Sequence, residues 1–301
     1  MSEIEIVDAH HHLWDLGRLH YPWLSDSPPQ QFRYGDTAPL RRNYLASDYS
    51  RDTGRQKVVA TVHMEAEARH DDPVAETRFV HETAERYGFP NAVIGHARFE
   101  SHNIDAVLRR HAAFPLLRGI RQKPATAASA KEIVPGAFGS MSDPLWRRGY
   151  GRLATYGLHF ELQVPFWHLH EAAELARSFP EIPIVLNHAG LPCDRSESGL
   201  AAWREAMTAF AAEPNTWVKI SGLGQQGRPW TAADNKPVVR ATIDIFGVDR
   251  AMFASNFPVD GLCASFDRIY DGFRTIVAEL PLADRRKLFS DNARRAYRIA
   301  L

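Results

Sequence analysis

Only two cysteines, Cys193 and Cys263, occur among the 301 residues, and they lie far apart. That excludes a disulfide framework as the organising device and leads us to expect two free thiols in a reducing compartment. No apolar run approaches the ~20 residues that a membrane-spanning helix needs. Lys+Arg and Asp+Glu each total 36, so the formal net charge is zero, and no basic run is long enough to form a nucleic-acid stripe. The start, MSEIEIVDAHHH, lacks the basic head, apolar core and small-residue cleavage site of a secretory signal, which predicts a cytoplasmic location. A glycine-rich phosphate loop is missing too. Where an open nucleotide-binding sheet would carry G-x-G-x-x-G after its first strand, this chain reads AHHHLWD.

What is present is an ordinary globular composition, 45% hydrophobic and 24% charged, able to bury a sizeable core. Short β-branched runs recur along the whole chain: 4–10, 57–64, 92–99, 116–122, 158–164, 183–189, 216–222 and 251–257. Their length and branching predict strands. Between them, 74–88, 169–179 and 200–213 carry helical spacing, with Gly88, Pro90, Gly157, Pro180, Pro183, Pro214 and Gly247 punctuating the joins. Strand–helix alternation repeated eight times predicts a parallel sheet closed into a (β/α)8 barrel, a TIM barrel, as one domain over 1–301. The stretch from about 13 to 49 is longer than a normal strand–helix connection and rich in aromatics and prolines. In a barrel it lies on the catalytic face, so Tyr21, Trp23, Phe32 and Tyr34 are candidates to cover the site mouth, as a lid or as a packed surface loop.

The strand endings carry the chemistry. Asp8, His10 and His12 share one parity at the end of the first strand, and period-two geometry sends them to the same side. Two imidazoles aimed at one point suit a divalent ion such as Zn2+. His11, of opposite parity, is expected to face the helices. Other strand ends add His63, Glu65 and Glu67; His96, Arg98 and Glu100; Arg118, Arg121 and Gln122; and His159, Glu161 and Gln163. Asn187 and His188, Lys219 and Ser221, then Ser255, Asn256 and Asp260 complete the series. Singly, each reads as a rim or structural residue. Gathered at eight consecutive strand ends, they predict a shared polar cavity, because unpartnered burial is costly.

With these residues in place the chain resembles the amidohydrolase-related family (amidohydrolase 2). It is most similar to the branch of L-fuconolactonase-like and 2-pyrone-4,6-dicarboxylate lactonase-like hydrolases. The resemblance rests on VDAHHHLWD (7–15), YPWL (21–24), RGIRQ (118–122), VLNHAG (185–190), ISGL (220–223) and MFASNFPVD (252–260). It implies that His10, His12 and His188 are the metal-type histidines, and that the end of strand eight supplies an aspartate to activate water. Asn256 stands there instead, and an amide cannot accept a proton at neutral pH. Three alternatives remain open: a metal-bound water acidic enough by itself, a substitute carboxylate at Glu65 or Asp260, or lost or altered hydrolysis. Some lactonases of this branch work without metal, and RGIRQ replaces the strand-four lysine or glutamate of binuclear relatives. At most one divalent ion, zinc first, is therefore expected, or none.

The reading is a hydrolase of a small lactone, ester or amide. His188, Glu65, Asp260 and Asn256 are its catalytic candidates, and His63, Arg118, Arg121, Gln163, Asn187 and Trp23 its substrate contacts. The arginines suit a substrate carboxylate or carbonyl, and the polar side chains suit hydroxyls or an oxyanion. Within enzymes the alternative is a metal-dependent decarboxylase of an aromatic acid, with Glu65 as ring-protonating acid. Outside enzymes it is a catalytically silent metabolite-binding barrel, which Asn256 favours. The partner is a small molecule, with no nucleic acid and no membrane; helix-face patterning leaves a homo-oligomer open.

Overall fold

The computed structural model describes residues 4–29, 32–69 and 71–300. The expected termini 1–3 and 301, and positions 30 and 31 of the long loop, lie outside the described residues. Eight parallel strands run in sequence order around a barrel: β1 (Ile6–His11), β2 (Val58–Met64), β3 (Ala92–His96) and β4 (Leu117–Arg121), then β5 (His159–Leu162), β6 (Ile184–Leu186), β7 (Thr216–Ile220) and β8 (Ala251–Phe253). Seven lie within their predicted runs, and β1 extends one residue past the first, to His11. The barrel closes where the chain beyond β8 meets β1: Asn256 N donates to His10 O (2.8 Å) and His12 N to Phe257 O (2.8 Å).

Alternating side chains divide the core in two. Val7, Ala9, Val62, Met64, Ile94, Met252 and Ala254 fill the barrel, floored by Tyr297 from the C-terminal helix Asn292–Tyr297. Larger side chains, among them Trp146, Phe160, Trp203, Phe210 and Phe273, pack the outer face against the helices. Several of those helices begin where a short polar side chain satisfies an orphan N–H. Ser196 caps Glu197–Ala211, Thr231 caps Ala232–Phe246, and Ser265 caps Phe266–Ile276. The predicted helical faces at 74–88 and 169–179 appear as Ala75–Tyr87 and Leu169–Ser178. Tyr87, in the last turn of the first, is 48% exposed.

One irregularity in β1 shapes everything at its tip. Asp8 pairs with Thr61 but His11 pairs with His63, so three steps on β1 oppose two on β2. The extra residue is a β-bulge, which reverses side-chain parity. Asp8 therefore faces the helices while His10 and His12 face inward, correcting the expectation that all three share a side. His11 faces outward as expected, its Nε2 3.0 Å from Thr61 Oγ1 and its ring 4.3 Å from that of Tyr49.

Candidate active site

At the C-terminal mouth, His10 Nε2 and His12 Nε2 stand 3.3 Å apart, and the His10 ring centroid is 4.7 Å from that of His188. His12 Nδ1 lies 2.9 Å from Met64 O, an atom that can only accept, so its Nε2 carries the lone pair. His188 Nδ1 is held by Ser221 Oγ at 2.9 Å, which leaves its Nε2 for the cavity. Gly222 makes this close packing available. A Cβ there would stand 2.6 Å from His188 Cγ, and its φ of +65° is a conformation that glycine tolerates without strain. His188 (φ 54°) and Asn256 (φ 55°) occupy the same left-handed region without that freedom. Such strain persists where the surroundings over-determine it, commonly at functional sites.

Burial disfavours the charged form of all three imidazoles. His12 is lowered to about 3, first by desolvation and then by the Arg121 guanidinium, while His10 and His188 lie well below the ordinary histidine range for the same first reason. Neutral imidazoles are what a metal or an acidic water requires.

His12, His188, Arg121, Gln163, Asn256, Trp23 and Phe32 line a cavity of about 120 Å³, joined by Arg33, Thr37, Glu67 and Lys123. Arg121 is aimed by Glu65, whose carboxylate accepts its Nε and whose carbonyl accepts Nη2, while Nη1 reaches Gln163 Oε1 at 3.1 Å. Trp23 is fixed by its Nε1 bond to Ala66 O (2.8 Å), with its ring centroid 6.3 Å from that of Phe32 in a stacked arrangement.

Other predicted site residues end up elsewhere. Arg118 is the clearest correction. One residue into β4, it lies at the opposite mouth, where Nε donates to Tyr297 O (2.6 Å). His63 faces outward towards Glu76 at 3.4 Å. Asn187 is buried and donates to Glu161 Oε2 at 2.6 Å, inside a network with Lys219 (3.0 Å from Glu161) and Tyr297 (OH to Oε1, 2.6 Å). Neither substitute carboxylate lines the cavity. Glu65 is occupied by Arg121, which holds it well below the usual carboxylate range. Asp260 accepts Tyr34 OH (3.0 Å), Asn256 Nδ2 (2.7 Å) and Gly222 N (3.0 Å), and burial raises it to about 6. By taking the Asn256 amide N–H, Asp260 turns the amide oxygen away from itself.

Arg33 and Lys123 were not anticipated. The clue to Arg33 was a cation between two aromatics, Phe32 and Tyr34, in a loop already expected at the mouth. Lys123 follows the RGIRQ motif directly and is paired with Glu67.

The family match covers residues 7–299 and is to the amidohydrolases. The chain belongs to the amidohydrolase family. As an amidohydrolase with hydrolase relatives along nearly its full length, it is an enzyme of the hydrolase class. It is 39% identical over 300 residues to the uncharacterized protein y4mH of Sinorhizobium fredii, spanning 99% of this chain and 100% of that one. An L-fucono-1,5-lactonase of Burkholderia ambifaria is 30% identical over 264 residues, 86% of this chain and 82% of its own. A crystal structure of a Burkholderia multivorans amidohydrolase with bound zinc superposes with a TM-score of 0.80 at 26% identity, covering 98% of this chain and 99% of that one.

Do this amidohydrolase's residues fit such an ion? Two nitrogens on one tetrahedral zinc, each bound at ~2.0–2.1 Å, stand about 3.3 Å apart, the spacing of the His10–His12 pair. Met64 O and Ser221 Oγ orient His12 and His188 as outer-shell partners of metal-bound histidines do. Among the described residues, however, no group of three His, Cys, Asp or Glu side chains already stands in ligand geometry. Glu67, which lines the cavity, is paired with Lys123, and the nearby cations Lys219 and Arg121 oppose positive charge on His10. The donors fit in type, the tautomer of His12 fits, and two of the three stand at ligand spacing.

Proposed function

We propose that this amidohydrolase hydrolyses a small lactone by attack of a water held at His10, His12 and His188. The observation that carries the reading is the meeting of His12, His188 and the aimed Arg121 guanidinium in a single small cavity, with the buried His10 in contact with both imidazoles. The substrate carbonyl lies against Arg121, whose N–H groups stabilise the oxygen as it gains charge. Water adds to the carbonyl carbon, the ring C–O bond breaks, and the released alkoxide takes a proton to leave a hydroxy acid. Asn256, oriented by Asp260, offers its amide oxygen to the water or a substrate hydroxyl, and Gln163 offers a second polar contact. Trp23 and Phe32, on the loop of about 13–49, act as the lid that excludes bulk water. One divalent ion, zinc foremost, would be held by His10, His12 and His188 and would make the bound water acidic near neutral pH. The lactonase relative supports the substrate class, and its 30% identity leaves the particular lactone to experiment.

The test is acid release, followed in a pH-stat, over sugar lactones and carboxylated lactones, before and after loading with Zn2+ or Mn2+. Turnover of at least one lactone is expected. If no lactone releases acid under any loading while an aromatic acid releases CO2, the decarboxylase reading replaces this one.

A further inference from the structure

Beside this cavity lies a second one of about 230 Å³, lined by Arg33, Tyr34, Arg195, Gly222, Gln225 and Gln226 among others. Arg33 lines both cavities, so the two adjoin through its side chain. The guanidinium N–H groups here are incompletely matched, although Asp260 attracts Arg33. Arg33 Nη2 donates to Tyr34 OH (3.1 Å), and its guanidinium lies 4.7 Å from the Tyr34 ring centroid, but its Nε is buried without an acceptor. Arg195 Nη2 makes only long contacts, to Leu223 O (3.4 Å) and Asn235 Oδ1 (3.5 Å), and its Nε and Nη1 are buried without acceptors. Among the described residues neither arginine forms an ion pair, whereas Arg121 next door is fully matched by Glu65. No Asp or Glu lines the second cavity. The acids that attract the two arginines accept hydrogen bonds from other donors: Asp260 from Tyr34, Asn256 and Gly222, and Asp234 from Thr231. Three shielded guanidinium N–H groups without acceptors are costly unless an anion completes them.

We propose that Arg33 and Arg195 form an anion subsite that receives a carboxylate carried by the substrate, so that the enzyme acts on carboxylated lactones in preference to neutral ones. The proposal rests on the lactonase reading for its substrate, but the subsite itself stands on the arginines alone. A carboxylate suits the geometry because a guanidinium fork binds its two oxygens in plane, and the Gln225 and Gln226 amides supply neutral donors at the rim. The carbonyl then sits at the imidazoles, with the carboxylate past Arg33, the residue that lines both cavities.

The decisive comparison uses one lactone in two forms, the free acid and its carboxamide, with wild type and Arg195→Met. Wild type is expected to favour the acid by about tenfold or more in kcat/KM, and Arg195→Met to erase most of that ratio, through KM rather than kcat. Arg195→Lys and Arg33→Lys, which keep a charge without the fork, should retain an intermediate ratio, and they serve if the methionine variant misfolds. A wild-type ratio near one, or a ratio unmoved by Arg195→Met, overturns the proposal. Titration with glutarate by calorimetry separates the subsite from the reaction. Arg195-dependent glutarate binding in an enzyme that hydrolyses no lactone would support the subsite and remove the lactonase reading. Absence of glutarate binding, or inorganic phosphate binding more tightly, would remove the carboxylate assignment whatever the reaction.

Discussion

Asp8 and His10, on opposite faces of β1, treat their buried polar atoms in opposite ways. Outward, Asp8 is saturated: it accepts Tyr49 OH (2.7 Å), Ser255 Oγ (2.6 Å), Ser255 N (2.8 Å) and Tyr270 OH (3.2 Å). Inward, a few ångströms away, His12 keeps a lone pair directed at His10, and His10 Nδ1 has no partner at all. A saturated polar group rigidifies the fold and has nothing left to offer a ligand. An unsaturated one weakens the fold and is free to do chemistry. Saturation marks Asp8 as structural, but an open nitrogen alone does not mark function, since the outward-facing His11 Nδ1 and both His63 ring nitrogens also lack hydrogen-bond partners.

The largest effect expected from breaking this contrast is on the inner face. His12→Ala should lower kcat/KM for whichever lactone proves best by about 10³-fold or more, with the urea midpoint little changed. Full activity in that variant would end the proposed chemistry. On the outer face the effect moves to stability. Asp8→Ala leaves two tyrosine hydroxyls and the Ser255 donors without their acceptor, and about 3–5 kcal/mol of unfolding free energy should be lost, read by urea titration. A loss below about 1 kcal/mol would show that the cluster is not the brace described here.

Asp260 tests the border between the two sets through pH. Its folded value, raised to about 6, lies above its ordinary value near 3.8, so the folded protein binds more protons between those limits. This group's contribution should therefore weaken the fold as pH rises from about 4 to 6, by roughly 3 kcal/mol at full ionisation. The wild-type stability profile should fall across that window relative to Asp260→Asn, and parallel profiles would contradict the assignment. The smallest effect belongs to Arg118. Arg118→Ala loses its bond to Tyr297 O at the far mouth, so stability should drop by about 1 kcal/mol while kcat/KM stays within about twofold. An activity loss comparable to that of Arg121→Ala would contradict its placement away from the site.

Arg118 and Arg121 also show what a sequence conveys and what it withholds. Both stand in RGIRQ, and both read as strand-end cations. Three steps along a strand span ~10 Å, so one falls at the floor of the barrel and the other at its mouth. The inward pair His10 and His12 was legible because period-two spacing put them together. Asp8 was misread because one bulged residue reverses parity, and no local signal in VDAHHH announces the bulge. Trp23 and Phe32 were legible as aromatics in an overlong loop. Arg33 and Arg195 were not, since an arginine in a loop is ordinarily solvated, and only the cavity around them reveals that it is not.

Local pattern was enough to determine eight strands, their order, the barrel that closes them and the candidate histidines, because β-branching, alternation and turn residues act over a few neighbours. Whether a polar side chain is satisfied was decided by tertiary structure alone. The partners of Asp8 come from residues 49, 255 and 270, and those of Asp260 from 34, 222 and 256. A hydrogen bond needs atoms about 3 Å apart, and only the closed barrel brings segments so distant in the chain within that reach.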